Sequence, residues 1–305
     1  MRKFHWISAI SILSAAIIIG SCKTKFDTTE SNFTATRSEI ALEHGRVLVY
    51  SICGGCHYDP TVNKFIGTRI HEVPGIVGTV YSANLTNSKS NGVPPRYSDA
   101  ELRYLLKTGV ARDGRFIPYM LRPNMADEDM NDIIVYLRSD DPAVAAADTT
   151  IGITHFNLIG KMAMNIMAKP LPYKTGINRP TESDPIASGR YLVDNIGCFH
   201  CHSKSVTKLN YLYPEQSKGY MAGGMKFKTR QGMEIYASNL TPDKQTGIGD
   251  YTQSQFRKAV KDGEAPHRNL HPPMPKFKRL SDRDVDAMYA YLQTIPASFH
   301  KVHGH

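Results

Sequence analysis

Apolar positions in this chain come in short bursts at helical spacing, punctuated by glycine, proline or acidic residues, and the bursts run twice in the same order. The first copy opens after Ser38 with Gly45-Arg46-Val47-Leu48-Val49-Tyr50, and the second with Gly189-Arg190-Tyr191-Leu192-Val193-Asp194. Each predicts an amphipathic helix. Middle helices follow over residues 99–108 and 252–261, stopped by Gly109 and Gly263 as helix-terminating glycines. Closing helices start at Ala126-Asp127-Glu128-Asp129 and Ser281-Asp282-Arg283-Asp284, because acidic residues suit a first turn and Ser281 is a good cap. Between the copies the texture changes. Residues 143–147 are small and weakly structured, and residues 151–167 are apolar enough to form a packed helix or strap that includes Met162, Met164 and Met167. Pro170, Pro172 and Pro180 then break regular structure.

The opening helix of each copy runs into a motif of one kind: Cys53-Gly54-Gly55-Cys56-His57 and Cys198-Phe199-His200-Cys201-His202. Two thiols three residues apart can reach both vinyl groups of one porphyrin, and the following histidine is carried beneath the ring to ligate iron. The expectation is two covalently attached haem c groups, with His57 and His202 as axial ligands. The second copy has one extra residue, Gly197, ahead of its first cysteine.

The opposite axial position decides between electron transfer and chemistry at iron. In His271-Pro272-Pro273-Met274-Pro275 the prolines stiffen a loop that offers a thioether, so Met274 is the expected second ligand at the second site. At the first site Met120 lies 154 residues before Met274, close to the 155-residue offset of the repeat, and is the matching ligand. Met125 and a second nitrogen such as His71 stay open there. His200, between two cysteines, reads as a surface or haem-edge residue.

A third repeated run, Tyr81-Ser82-Ala83-Asn84-Leu85-Thr86, matches Tyr236-Ala237-Ser238-Asn239-Leu240-Thr241. Haem carboxylates entering a protein must be solvated or paired, so Tyr81, Asn84, Tyr236 and Asn239 are candidate contacts. Arg46 and Arg190 are equally repeated and read either as propionate partners or as ordinary surface charge.

The N-terminus carries a basic start, a short apolar run over residues 10–19 and then Gly20-Ser21-Cys22. That is the form of a secretory leader ending in a bacterial lipobox, with Cys22 the lipidated residue. The expected organisation is a leader over 1–21, a lipidated tether over 22–37, haem units over 38–140 and 185–297, a linker or packing strap over 141–184, and a polar tail over 298–305. The fold expected is all-α, two tandem haem-centred helical units, each wrapped around one haem. The formal charge of +9 comes from 37 basic and 28 acidic residues. Four propionates would offset part of it, and the remainder suits an acidic redox partner, so no nucleic-acid role is inferred.

The haem motifs, Asn239-Leu240-Thr241-Pro242-Asp243, Thr246-Gly247-Ile248-Gly249, Pro273-Met274-Pro275 and the closing helix through Tyr291-Leu292 together resemble a bacterial cytochrome c family. Its members include the cytochrome subunits of periplasmic sugar, alcohol and gluconate dehydrogenases. The resemblance spans residues 38–296, implies that the two units are tandem class I cytochrome c-like domains, and implies a propionate contact for Asn239. It also implies single-electron transfer from a flavin- or quinone-cofactor dehydrogenase to a respiratory acceptor, on the periplasmic side of a bacterial membrane. Asn84 lacks the following Pro-Asp, and only two haem motifs are present where relatives often carry three. An electron-transfer subunit with no catalytic residue is therefore favoured over a stand-alone enzyme. The alternative is a dihaem peroxidase or small-molecule oxidoreductase with an open site at the first haem.

Overall fold

A computed structural model describes residues 32–149, 151–167, 169–229, 232–266 and 268–302. The leader and Cys22 lie outside the described residues. The helices in chain order are α1 (Glu39–Leu48), α2 (Gly54–His57), α3 (Val93–Arg96), α4 (Asp99–Thr108), α5 (Asp127–Leu137), α6 (Leu158–Met167), α7 (Pro185–Ile196), α8 (Cys198–His202), α9 (Gln253–Asp262) and α10 (Asp282–Leu292). No helix among the described residues is long and apolar enough to cross a membrane.

In each half the first helix crosses the last. The contacts are α1 on α5 and α7 on α10. Glycine makes both crossings possible: a Cβ on Gly45 would sit 1.9 Å from the Asp132 carbonyl oxygen, and one on Gly189 would sit 1.9 Å from that of Ala287. Leu48, Val49, Phe65, Met125, Ile133 and Tyr136 fill the first core, and Val193, Phe199, Phe256, Val285, Met288 and Leu292 the second. Ile52, just ahead of the first haem motif, packs against both.

Local signals set the helix ends. α4, α9 and α10 begin with capping boxes, Ser98 with Glu101, Thr252 with Gln255 and Ser281 with Asp284. α4 and α9 stop at Gly109 and Gly263, both left-handed at φ 78° and 76°. α5 has no side-chain cap of its own; the Tyr191 hydroxyl from the other half accepts the Ala126 amide at 2.9 Å instead.

The all-α expectation is overturned, and with it the picture of two tandem class I cytochrome c-like domains. The loops after the haem motifs fold back as small antiparallel sheets. One has the order β1 (Arg69–Ile70), β2 (Gly78–Tyr81), β3 (His155–Phe156), with Arg69 opposite Tyr81 and Gly78 opposite Phe156. The others pair β4 (Lys226–Lys228) with β5 (Glu234–Tyr236) and β6 (Glu264–Ala265) with β7 (Arg268–Asn269). Strands of two to four residues are too short to display an alternation of period two.

The segment between the copies joins the first core and then forms a short helix. Ala143 and Val144 are buried in the first core, where Phe65 and Asn87 donate to their carbonyls at 2.9 and 2.8 Å. α6 rests on the Val77 backbone at Gly160, but its outer face is open, with Leu158, Ile159 and Met162 all exposed.

Arg179 ties this segment to both halves. It donates to Asp129 and, at 2.6 Å, to Asp132 of α5, while His44 of α1 meets Asp132 at 2.8 Å and Tyr191 of α7 donates to Asp129. Burial alone would raise the Asp132 carboxyl. The His44 and Asn131 hydrogen bonds and the Arg179 charge outweigh it and hold that group below its ordinary range. The His44, Asp129 and Asp132 donor atoms lie within 4.8 Å of one another, and the guanidinium already supplies the cation this cluster needs. Arg179→Met should therefore cost about 3 kcal/mol, because Asp129 is left buried without its partner. Urea unfolding measures this, and Arg179→Met combined with Asp129→Asn should recover part of the loss.

Candidate functional site

The two C-x-x-C-H motifs reach similar geometry by different backbone routes. In the first half α1 loosens into a π-helical turn over Val49–Cys53 before α2 carries Cys56 and His57. In the second, α7 stops at Gly197 in the left-handed conformation, φ 90°, and α8 starts at once with Cys198. The extra residue in the second copy is thus a helix break where the first copy has a wider turn.

Both motif histidines are buried, at 6% and 7% exposure, and both are fixed through one ring nitrogen. The His57 Nδ1–H donates to the Ala83 carbonyl at 2.7 Å, and the His202 Nδ1–H to the Ser238 carbonyl at 2.8 Å. A carbonyl can only accept, so each ring holds its proton on Nδ1 and presents a bare Nε2 lone pair. Burial pushes both imidazoles below their ordinary pKa, against the pull of these carbonyls, which keeps them neutral. Burial likewise pushes the Cys53 and Cys198 thiols up to about 12. A neutral imidazole with an oriented Nε2, one residue beyond a pair of thiols, is the donor set a c-type haem requires, and all four cysteines are free.

The loops behind the histidines superimpose bond for bond. Gly67 donates to the His57 carbonyl at 2.9 Å and Gly223 to that of His202 at 2.8 Å. Leu85 donates to Phe65, and Leu240 to Met221, at 2.8 and 2.7 Å. Gly67 and Gly223 have positive φ, and a Cβ on either would lie 2.4 Å from the Ser82 or Ser238 carbonyl oxygen. The carbonyls of Ala83 and Ser238 that hold the histidines therefore sit inside the repeated run that sequence reading had assigned by its side chains alone.

Asn84 and Asn239 use their amides within the protein. Asn84 Nδ2 donates to Asn91 Oδ1 and the Ala147 carbonyl, both at 2.8 Å, while its Oδ1 accepts the Thr86 amide. Asn239 Nδ2 donates to Thr246 at 3.1 Å and to the Ser298 carbonyl at 2.8 Å, with Oδ1 accepting from Thr241. Each asparagine thus ties its loop to the chain beyond the closing helix of its half. Tyr81 lies in β2 beneath Gly152, and Tyr236 ends β5 opposite Lys226. Arg46 pairs with Glu43 and Asp141, and Arg190 with Asp194 and Glu215.

Met120 ends a short 3₁₀ turn, is half-buried and packs on the first core, of which Cys53 is a member. Met125 is fully buried within that core. Met274 is half-buried and packs on the second core, as does Cys198. The two motifs are neighbours: a Cβ on Gly55 would stand 3.9 Å from the Pro275 side chain, next to Met274, and Arg279 lies 4.1 Å over the Tyr50 ring. His200 is not a free surface residue. It packs between Phe199 and Tyr211, with centroid distances of 4.4 and 5.1 Å.

Asp194, on the helix leading to the second motif, accepts from the Tyr220 hydroxyl at 2.9 Å. Burial pushes its carboxyl up to about 6, against the pull of that bond and of Arg190. Between the ordinary carboxylate value and about 6, the unfolded chain gives up this proton first, so Asp194 makes stability fall as pH rises through that window. Asp194→Asn should remove the fall, gaining about 2–3 kcal/mol over the native chain above the window and nothing below it. Unfolding curves near pH 4 and pH 7.5 check the sign.

No family model matches the chain. It is 26% identical to the fructose dehydrogenase cytochrome subunit of Gluconobacter japonicus over 313 residues, covering 97% of this chain and 61% of that one. It is 27% identical to the gluconate 2-dehydrogenase cytochrome c subunit of Pantoea cypripedii over 266 residues, covering 80% and 57%. Over 109 residues it is 38% identical to the cytochrome c subunit of a quinone alcohol dehydrogenase from Gluconobacter oxydans, covering 35% of this chain and 20% of that one. The chain thus spans about three-fifths of the length of the first two relatives. It is distantly homologous to cytochrome c subunits of sugar and alcohol dehydrogenases, and that homology supports a general electron-transfer role.

Proposed function

We propose that the chain is a dihaem c-type electron relay. The observation that carries the reading is the doubled arrangement of a thiol pair followed by a buried histidine fixed through Nδ1. Cys53 and Cys56 would hold one haem c and Cys198 and Cys201 the other, with His57 and His202 as one axial ligand each and Met120 and Met274 as the other. Bound there, each haem supplies a reversible one-electron couple between ferric and ferrous iron. The protein's part is to fix the histidines, exclude water with the two apolar cores and hold the centres side by side. Held by His57 with Met120 and by His202 with Met274, each group would leave little room for a substrate, which favours a relay.

The haem units are residues 38–140 and 185–297, joined by the strap over 141–184. A flavin- or quinone-cofactor dehydrogenase would deliver electrons and a respiratory acceptor would remove them. The relatives' names support the dehydrogenase side of that pairing. Lipidation at Cys22 would hold the relay on the periplasmic side of a bacterial membrane.

A redox titration of the mature holoprotein with ligand-sensitive spectra tests the reading. Two covalent haems, each with the weak red band of methionine-ligated ferric iron, are expected. One haem, or a five-coordinate centre that reacts with peroxide, would count against it.

A further inference from the structure

The two halves differ at one buried position beside the seam between them. Phe277 donates its amide to the Val260 carbonyl at 3.0 Å and accepts from the Leu280 amide at 3.1 Å. Arg122 makes the matching bonds, to the Leu106 carbonyl at 2.6 Å and from the Met125 amide at 3.2 Å. The backbone positions are equivalent, and both side chains are equally buried, at 7% exposure. One half therefore buries an aromatic ring where the other buries a guanidinium.

That guanidinium is poorly compensated. One terminal nitrogen donates to the Leu121 carbonyl at 2.6 Å and lies 3.5 Å from that of Tyr119, while the buried Nε has no partner. No carboxylate pairs with Arg122 among the described residues. Asp194, the acidic group in the same cleft, is committed to Tyr220 and Arg190. The cleft is walled on one side by Arg122 and Asn124 and on the other by Phe199, His200 and Tyr211. Asn124 bridges it by donating to the Leu212 carbonyl at 2.9 Å. Phe199 and His200 are the two residues between the cysteines of the second motif, and Met120 of the first site is two residues before Arg122. The charge of Arg122 also acts on Cys53, Cys56 and Cys198, so it lies within electrostatic reach of both motifs. The neighbouring thiols are uncharged, and the acidic side chain lining the cleft, Asp194, is already paired with Tyr220 and Arg190.

We propose that Arg122 is a fixed buried cation shared by both haem sites, raising the reduction potential of each. The inference rests on the dihaem reading. Reduction lowers the charge of a haem by one, so a nearby unpaired cation in a low-dielectric seam favours the ferrous form. Burial lowers the guanidinium's pKa but leaves it protonated near neutrality, and Asp194 in the same cleft is pushed up to about 6, so the bias is read above that pH. Because the group is buried, salt should screen it little. Arg122 is a positioning charge and touches no reacting atom in this account.

The test is a redox titration of the full holoprotein as the native chain, R122Q, R122K and the exposed control R112Q. The native chain should carry two haems. R122Q should keep both haems and its methionine-ligation spectrum while both midpoint potentials shift downward, by similar amounts at low and high salt. R122K should stay near the native midpoints, and R112Q should not move them. Unchanged midpoints in R122Q, or a shift confined to one haem, would overturn the proposal while leaving the relay intact. If R122Q fails to load haem, R122K decides: native midpoints uphold the charge, and a fall as large as a packing change would produce refutes it. A native chain without two haems sinks this inference together with the relay.

Discussion

Gly189→Ala is expected to destabilise the protein by about 3 kcal/mol or more, and Gly45→Ala by a similar amount. The added methyl carbon would lie 1.9 Å from a main-chain carbonyl oxygen in either case, 2.9 Å from Tyr291 Cβ at Gly189 and 3.0 Å from Tyr136 Cβ at Gly45. A carbonyl inside a helix cannot swing away, so relief requires the two helices to separate. Separation would strip contacts from Leu48 and Tyr136 in one core and from Val193 and Leu292 in the other. The gain in helix propensity from glycine to alanine, about 1 kcal/mol, is too small to reverse the sign. Chemical denaturation of each variant measures it. A loss below about 1 kcal/mol would mean that the crossings are looser than the close approach implies.

Replacing Cys198 and Cys201 together with alanine is expected to halve the covalently bound haem, and the same change at Cys53 and Cys56 should do likewise. The thioethers are the only covalent tethers available to each group, because each motif supplies two thiols and no other cysteine lies among the described residues. On the dihaem reading, removing them would also withdraw a porphyrin from the core bordered by partly buried Cys198 and Met274, so the Cys198 and Cys201 variant should lose thermal stability in the second half first. Intact-protein mass after denaturation counts the haems directly. Retention of two in either double variant would refute the assignment of the motifs.

Much of the helical framework was legible. The glycine stops at Gly109 and Gly263 and the Ser281 cap are decisions made within a turn or two, so local chemistry writes them into the chain. The two C-x-x-C-H runs stand out equally plainly because their spacing is short and occurs twice. The small sheets were not, since their pairing depends on where loops meet: Thr79 faces His155 from 76 positions away. The role of the Asn-Leu-Thr run was legible as a repeat but not as a set of bonds. Its conspicuous amides point to the chain beyond each closing helix, while the anonymous carbonyls of Ala83 and Ser238 hold the histidines. Arg122 left no trace in the pattern. One arginine in a loop is ordinary, and only its burial opposite a phenylalanine in the other copy marks it.

The crossing of first helix over last has a consequence beyond stability. It joins the first and last helices of each half directly, so each half is closed on itself through one helix pair. The halves are nevertheless joined, by the Tyr191 hydroxyl at the Ala126 amide, by Asn124 at the Leu212 carbonyl and by Ile52 in both cores. The two glycines stand at matching places in both copies, so the positions that tolerate no methyl group are also the ones at which each half locks shut.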